Sequence, residues 1–169
     1  NQVIINLERA PRNRQGLVEA TADLVILSPV DPRQGNGVTL VDISNRGRRT
    51  ALAFNRSGAG TYGDGFLMNQ GYTIIWVGWE FDVEPTPGAI RIEVPSVDGF
   101  PVGGLGFAAV RDTASWIKYE PQAVVTADHV LSFGSSQSGR FLRTFLYLGF
   151  NTDKSGRQVF DGVIPHIAG

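Results

Sequence analysis

The sequence of 169 residues contains no cysteine, and this absence excludes several kinds of chemistry. Disulfide bonds, thiolate nucleophiles and cysteine-ligated metal sites are all ruled out. Reducing and oxidising compartments both tolerate a protein without cysteine, so the compartment stays open.

An excess of positive charge and a long apolar run are also missing. Fifteen Lys and Arg residues against sixteen Asp and Glu residues give a net charge of -1, so binding to nucleic acid has no electrostatic driving force. No apolar run approaches ~18 residues, the length that spans a bilayer, and no charged segment followed by an apolar one opens the chain. With 42% hydrophobic residues, the sequence predicts one globular domain that binds neither nucleic acid nor a membrane.

The first part of the chain contains two strand patterns. Residues 24–29 form a short apolar run that ends at a proline, and residues 38–43 alternate weakly between apolar and polar side chains. Turn-forming residues at positions 31–37 separate the two runs. This order predicts an N-terminal β-hairpin.

From residue 50 onwards, strand patterns alternate with loops and helical patterns, which predicts a mostly parallel sheet. The chain is therefore assigned to the α/β class, with helices on both faces of the sheet. The predicted strands cover residues 50–55, 72–77, 130–133 and 159–164, and the predicted helices cover residues 106–119 and 138–148.

The most informative segment joins the strand pattern of residues 130–133 to the helix that follows. A nucleophilic serine requires a sharp strand-to-helix turn, and small residues must flank it two positions away on either side. Gly134 and Ser138 stand at these positions around Ser136. Glycine is usual where Ser138 stands, and we interpret the serine as a tolerated variant. Because a strand precedes and a helix follows, the pattern favours a nucleophile at Ser136 over a flexible polar loop.

The same turn provides a place for the negative charge that develops during acyl transfer. Unpaired N–H groups and the positive end of the helix dipole point towards the serine, and the N–H of Gln137 is the first expected donor. A second donor is expected in the loop after the predicted strand 50–55. Arg56, Ser57 and Gly58 are candidates there, and Ser57 is preferred.

Four segments of the sequence resemble a family of bacterial proteins with an α/β-hydrolase domain. They are Asn-Arg-Gly at 45–47, Ala-Ala-Val-Arg-Asp at 108–112, Gly-Ser-Ser-Gln-Ser-Gly-Arg at 134–140 and Phe-Asp-Gly-Val-Ile-Pro-His at 160–166. The resemblance covers nearly the whole chain. It implies an esterase-like enzyme and a longer protein, in which residues 1–169 form the N-terminal portion of a single α/β-hydrolase domain.

In that superfamily the catalytic serine, acid and histidine follow one another along the chain, and the last two lie on loops after later strands. His129 begins the strand that leads to Ser136 and is roughly 23 Å from it at ~3.3 Å per residue, which excludes it as the base. His166 follows the strand 159–164 and is expected to line the pocket, because α/β sheets place their sites at these strand ends. The acid and the histidine base are therefore expected on a second polypeptide segment that carries the rest of the fold.

The motif and the resemblance together predict a serine hydrolase that cleaves a small-molecule carboxylic ester through Ser136. Trp79, at the C-terminal end of the strand 72–77, is a second candidate for the pocket. No cofactor and no metal site are expected. The 169 residues alone are expected to be inactive unless a second chain completes the triad. A bacterial secreted or periplasmic location is favoured, although the residues leave the compartment open.

Two other functions stay open. One is a non-catalytic α/β-hydrolase fold that serves for binding or assembly. The other is dinucleotide binding, because Gly58, Gly60 and Gly63 form a G-x-G-x-x-G pattern and Glu80 ends the next strand. The segment between this loop and the next strand is too short for a crossover helix of ~10 residues, which disfavours dinucleotide binding.

Overall fold

The computed structural model describes residues 3–56 and 62–169 of the chain. The strands, in chain order, are β1 (Thr21–Ala22), β2 (Leu24–Leu27), β3 (Val38–Ile43), β4 (Thr73–Val77), β5 (Ile92–Glu93), β6 (Ser96–Val97), β7 (Phe100–Pro101), β8 (His129–Ser135) and β9 (Gly162–His166). The α-helices are α1 (Phe66–Asn69), α2 (Leu105–Tyr119) and α3 (Gln137–Tyr147), and short 3-10 helices cover Pro32–Gln34 and Ala51–Asn55. Within the described ranges, no helix has the length and apolar character needed to cross a membrane.

Five strands form the central sheet in the order β2, β4, β3, β8, β9. The strand β2 runs antiparallel to β4, and all the other neighbours run parallel. Two small antiparallel pairs, β1 with β5 and β6 with β7, lie outside this sheet. The α/β class and the mostly parallel sheet are therefore confirmed.

Apolar side chains cover both faces of the central sheet. Val41 and Ile75 pack with α2 and α3 on one face, whereas Leu40 and Ile74 pack on the other. This alternation is the two-residue period of a strand that is covered on both sides. The second face is covered by α1 and the 3-10 helix Ala51–Asn55. Helices thus lie on both faces of the sheet, and the two long helices, α2 and α3, lie on the same face.

The predicted β-hairpin is wrong, because β2 and β3 do not pair with each other. The strand β4 lies between them, with Ile74 aligned to Leu27 on one side and to Leu40 on the other. The physical reason is burial: β3 is buried at nearly every position and needs a neighbour on each side, whereas β2 is only partly buried and forms the edge.

The predicted strand over residues 50–55 is also wrong, because Ala51–Asn55 form a 3-10 helix. The carboxylate of Asp42 accepts the N–H groups of Thr50 and Ala51, and these bonds turn the chain at the point where an extended strand was expected. A tertiary contact has overridden the local pattern. The last predicted strand is shifted as well: Val159 and Phe160 are buried in the core before β9 begins at Gly162.

Asp42 joins three parts of the fold through one fully buried carboxylate. It accepts the N–H of Thr50, the N–H of Ala51 and the indole N–H of Trp76, each at 2.6 Å, and the Thr50 hydroxyl donates to it at 2.7 Å. Burial raises the pKa of Asp42 to about 6, although the four hydrogen bonds act in the opposite direction.

Asp42→Asn is expected to remove a pH dependence of stability. Its amide can replace protonated Asp42, with the oxygen accepting three N–H groups and the nitrogen donating to the Thr50 hydroxyl. The pKa in the fold lies above the usual 3.8, so the fold favours the protonated form, and the stability that protonated Asp42 contributes is lost as the pH rises through about 6. Between about pH 4 and pH 7 the wild type should lose about 2 kcal/mol relative to the variant in urea unfolding of the full-length protein.

Asp98→Asn is the matched control for this experiment. Asp98 is exposed and pairs with Arg9 at the surface, so its replacement should change the free energy of unfolding by less than about 1 kcal/mol. An identical pH response of the wild type and Asp42→Asn would contradict the role assigned to the buried carboxylate.

Candidate active site

Ser136 occupies a strained backbone conformation between β8 and α3. Its φ of 57° and ψ of −115° are unusual for any residue other than glycine. The residue is exposed, and its hydroxyl does not cap its own helix. The strand-to-helix turn predicted around Ser136 is therefore present, and it presents the serine to the surface.

Close backbone contacts explain the small residues around Ser136. A Cβ on Gly134 would lie 2.5 Å from the carbonyl oxygen of Ser138, and a Cβ on Gly139 would lie 2.7 Å from that of His166. Ser138 fits where glycine is usual because its hydroxyl donates to the Ser135 carbonyl at 2.9 Å and accepts the Ser135 N–H at 3.1 Å. The variant side chain thus stabilises the turn instead of obstructing it.

Gln137 is the first residue of α3, so its N–H has no partner within the helix. This N–H lies at the positive end of the helix dipole, next to Ser136. The second predicted donor, Ser57, lies outside the described residues, as does Gly58. The third candidate, Arg56, already donates its N–H to the carbonyl of Ala53 at 3.0 Å.

A turn that follows β3 reaches the strand-to-helix turn at Ser136, which we call the elbow. Asn45 and Arg48 exchange backbone hydrogen bonds at 3.0 Å, which closes a tight turn. Between them Arg46 and Gly47 have φ values of 49° and 74°. The side-chain amide of Asn45 donates to the Ser135 carbonyl at 2.7 Å and so attaches this turn to the residue before Ser136.

Glu80 lies behind the same turn and is only 4% exposed. Burial raises its pKa, and the negative charge of Asp82 raises it further, whereas the N–H groups of Arg46 and Gly47 and the positive charge of Arg46 lower it. Neither carboxylate oxygen makes a hydrogen bond of normal geometry to any described residue. Glu80 is therefore a buried acceptor with unused capacity close to the elbow.

His166 lies beside the elbow, as the sequence predicted. Its carbonyl accepts the Ser136 N–H at 2.9 Å, and its Nδ1 lies 3.2 Å from the hydroxyl of Ser135. The imidazole thus contacts the residue that precedes Ser136. His129 is at the opposite end of β8, with Nδ1 3.9 Å from a carboxylate oxygen of Asp161.

Two cavities flank the elbow. A large cleft of about 1210 Å³ includes Ser135, His166 and the three arginines Arg46, Arg48 and Arg49 in its walls. A smaller cavity of about 260 Å³ lies on the side of Gln137. Trp79 lines this smaller cavity, where its ring packs 4.4 Å from that of Phe141 and its indole N–H donates to the Ser44 carbonyl at 2.7 Å.

The sequence patterns predicted no role for Asn45 in the site, and they indicated Glu80 only as a possible ribose ligand. Asn45 belongs to the Asn-Arg-Gly segment of the resemblance, and that segment was the available signal. No sequence signal pointed to Glu80, because only the fold shows that its carboxylate is buried. Among the described residues, no cluster of three His, Asp or Glu side chains is arranged to hold a metal ion.

Comparison with family profiles identifies one family. The profile of a family described as "Alpha/beta hydrolase domain" matches residues 8–169. A crystal structure of a soluble variant of monoglyceride lipase from Saccharomyces cerevisiae, in complex with a substrate analog, aligns with a TM-score of 0.44 and 16% sequence identity. The alignment covers 91% of this chain and 46% of that one, so the chain spans about half the length of the lipase. No curated protein matches the sequence.

Gly134→Ala is expected to distort the elbow. The new Cβ would contact the Ser138 backbone at 2.5 Å, so α3 has to shift, which should cost about 1–3 kcal/mol of stability. Labelling of the full-length protein by a fluorophosphonate should slow by at least about tenfold, since the serine and the Gln137 N–H move apart.

Gly103→Ala is the control, because the nearest atoms to its Cβ belong to Ile5, at 3.7 and 3.8 Å. It should change stability by under about 0.5 kcal/mol and leave the labelling rate unchanged. Equal behaviour of the two variants would show that the close contact at Gly134 does not shape the site.

Proposed function

Because the chain belongs to the alpha/beta hydrolase domain family, we propose that it carries the nucleophile, Ser136, of a carboxylic ester hydrolase. The observation that supports this proposal most is the backbone of Ser136, with φ at 57° and ψ at −115° between a strand and a helix. A strained conformation of this kind at a non-glycine residue marks functional positions. It places the serine in front of a helix N-terminus, as at the nucleophile of α/β-hydrolases.

The reaction proceeds through an acyl-enzyme. Ser136 Oγ attacks the ester carbonyl carbon while its proton passes to a histidine base, and the Gln137 N–H donates to the oxyanion. Collapse of the intermediate releases the alcohol, which takes up that proton. Water then attacks the acyl-enzyme, the carboxylic acid leaves and Ser136 recovers its proton. Each step needs only acid–base groups, which agrees with the expectation that no cofactor is involved.

The histidine base and its acid partner belong, in this proposal, to a segment outside the 169 residues. One observation in support is that the ring of His166 contacts the hydroxyl of Ser135, a neighbour of the proposed nucleophile. The other is the pairing of the strand β9. Within the described residues β9 pairs with β8 alone, and its Ile164 side chain is 46% exposed. An apolar strand with a free edge can accept the next strand of the sheet.

The second oxyanion donor is proposed to come from the turn that follows β3. This turn lies against the elbow through Asn45 and Ser135. Ser57 remains a prediction, since it lies outside the described residues. The small-molecule ester substrate and the bacterial secreted or periplasmic location also remain predictions.

A non-catalytic scaffold is the second candidate function. It stays open because the proposed acid and base lie outside these residues.

The structure disfavours dinucleotide binding. The pattern at Gly58, Gly60 and Gly63 was expected to follow a strand, but the preceding residues form the 3-10 helix Ala51–Asn55. A dinucleotide fingerprint requires a strand before its glycines.

A fluorophosphonate probe tests the proposal on the full-length protein. The wild type should gain one adduct on Ser136, and Ser136→Ala should lose it together with at least about a thousandfold of its activity on p-nitrophenyl esters. Intact mass spectrometry and peptide mapping would record the adduct.

Ser135→Ala is the matched control, because it removes the adjacent hydroxyl and leaves the turn's backbone in place. It should keep the adduct and most of the activity. A wild type that gains no adduct would instead identify the protein as a scaffold.

A further inference from the structure

Three arginines lie in the walls of the large cleft beside the elbow. They are Arg46, Arg48 and Arg49, and all three are exposed. None of them forms an ion pair or a side-chain hydrogen bond with the residues that the structure describes. A guanidinium group binds a carboxylate through paired N–H donors, and these donors are unused at all three positions. The cleft therefore has the groups that an anionic ligand requires.

The backbone of Arg46 is a second sign that its side chain has a function. Arg46 and Gly47 have φ values of 49° and 74° at the centre of the turn between Asn45 and Arg48. Asparagine, aspartate and glycine favour such a turn, because they tolerate positive φ. An arginine at this position is strained, and strained non-glycine residues concentrate at functional sites. The turn itself thus does not explain why an arginine stands at position 46.

Arg49 is held in place by an aromatic ring. Its guanidinium carbon lies over the Trp76 ring, 5.1 Å from the ring centre. Trp76 is only 1% exposed and its indole N–H donates to Asp42, so the ring is a fixed platform. A stacked guanidinium keeps the N–H donors at its edge free for a carboxylate. Because the group is already oriented, less side-chain freedom is lost when a ligand binds.

Carboxylates also line the large cleft, so its formal charge is balanced. Glu80, Asp82 and Glu84 belong to its walls, and the positive charge of Arg46 acts on Glu80. Within the described part of the chain, however, no carboxylate is close enough to form an ion pair with any of the three arginines. The cleft therefore does not attract anions through its net charge. It can select an anion only by direct contact with the guanidinium groups.

Apolar walls lead from the arginines to the elbow. The rings of Phe54 and Phe133 pack edge to face at 4.9 Å, and Phe54 is 44% exposed in this cleft. Ser135 and His166 also line the cleft, and both adjoin Ser136. Ser135 precedes it in the chain, and the His166 carbonyl accepts its N–H at 2.9 Å. A ligand in the cleft can thus pack its hydrocarbon on the two phenylalanines and extend to the elbow.

We propose that the large cleft binds an ester that carries a carboxylate group. The three arginines hold the carboxylate, and the apolar wall holds the hydrocarbon chain that connects it to the ester. The substrate class is then the half-esters of dicarboxylic acids. Only the description of this ligand as a substrate rests on the proposed function, because hydrolysis needs Ser136 as the nucleophile.

Calorimetry on the full-length Ser136→Ala variant tests this site without turnover. Monomethyl suberate should bind at least about tenfold more tightly than dimethyl suberate, the effect of charge-assisted hydrogen bonds to its carboxylate. The two esters share one chain, so the comparison isolates the charge. On the wild type, kcat/KM should favour the monoester by a similar factor, measured by chromatography of the products. Equal affinities of the two esters would overturn the proposal.

Arg46→Asn separates the side chain from the turn that carries it. Asparagine tolerates positive φ, so the free energy of unfolding should not fall. Affinity for the monoester should fall by about fivefold, whereas affinity for the diester should not change. Arg49→Gln should have the same selective effect. Arg14→Asn removes an exposed arginine that does not line the cleft, and this matched control should leave both affinities unchanged.

The outcomes separate this inference from the proposed function. If the wild type gains no adduct on Ser136 but Ser136→Ala still prefers the monoester, the proposed function fails and the carboxylate site stands. If the adduct and hydrolysis are present but the two esters bind equally, the carboxylate site fails alone. A preference for the monoester that survives the combined Arg46→Asn and Arg49→Gln changes also overturns it, because the arginines then do not hold the carboxylate.

Discussion

The first turn of α3 lies directly against the end of β8, so closely that a Cβ on Gly134 would meet the Ser138 carbonyl at 2.5 Å. This approach forces the backbone of Ser136 into its positive φ and holds the Gln137 N–H beside the hydroxyl. Ser138 stabilises it by bonding both the N–H and the carbonyl of Ser135. One contact between a strand and a helix thus fixes both the backbone of Ser136 and the position of the helix N-terminus beside it.

Two buried carboxylates support the loops around that contact. Asp42 binds the backbone at Thr50 and Ala51, and Glu80 lies behind the turn that contains Arg46. Burial raises the pKa of each. Asp42 compensates with four hydrogen bonds and is a structural anchor, whereas Glu80 has no such set of partners within the described residues. This difference is why we assign the structural role to Asp42 alone.

Local patterns predicted the elements that depend on local chemistry. The helices and the turn at Ser136 follow from apolar spacing, Gly134 and the helix that begins after the serine. The hairpin and the strand at residues 50–55 were mispredicted because long-range contacts decided them: β4 inserts beside β3, and Asp42 turns the chain at Thr50. The positions of Asn45 and Glu80 in the site could not be predicted for the same reason, because the residues that they contact are distant in sequence.

Within the described residues, the unpaired edge of β9 also affects how a further strand can be added there. An apolar edge strand is a template on which a second molecule can pair, and Ile164 contributes exposed apolar surface there. Pro165, the next residue, has no backbone N–H and so removes one donor from the strand. A strand added to this edge, whether from the rest of the domain or from a second molecule, would therefore have one hydrogen bond fewer beside Pro165.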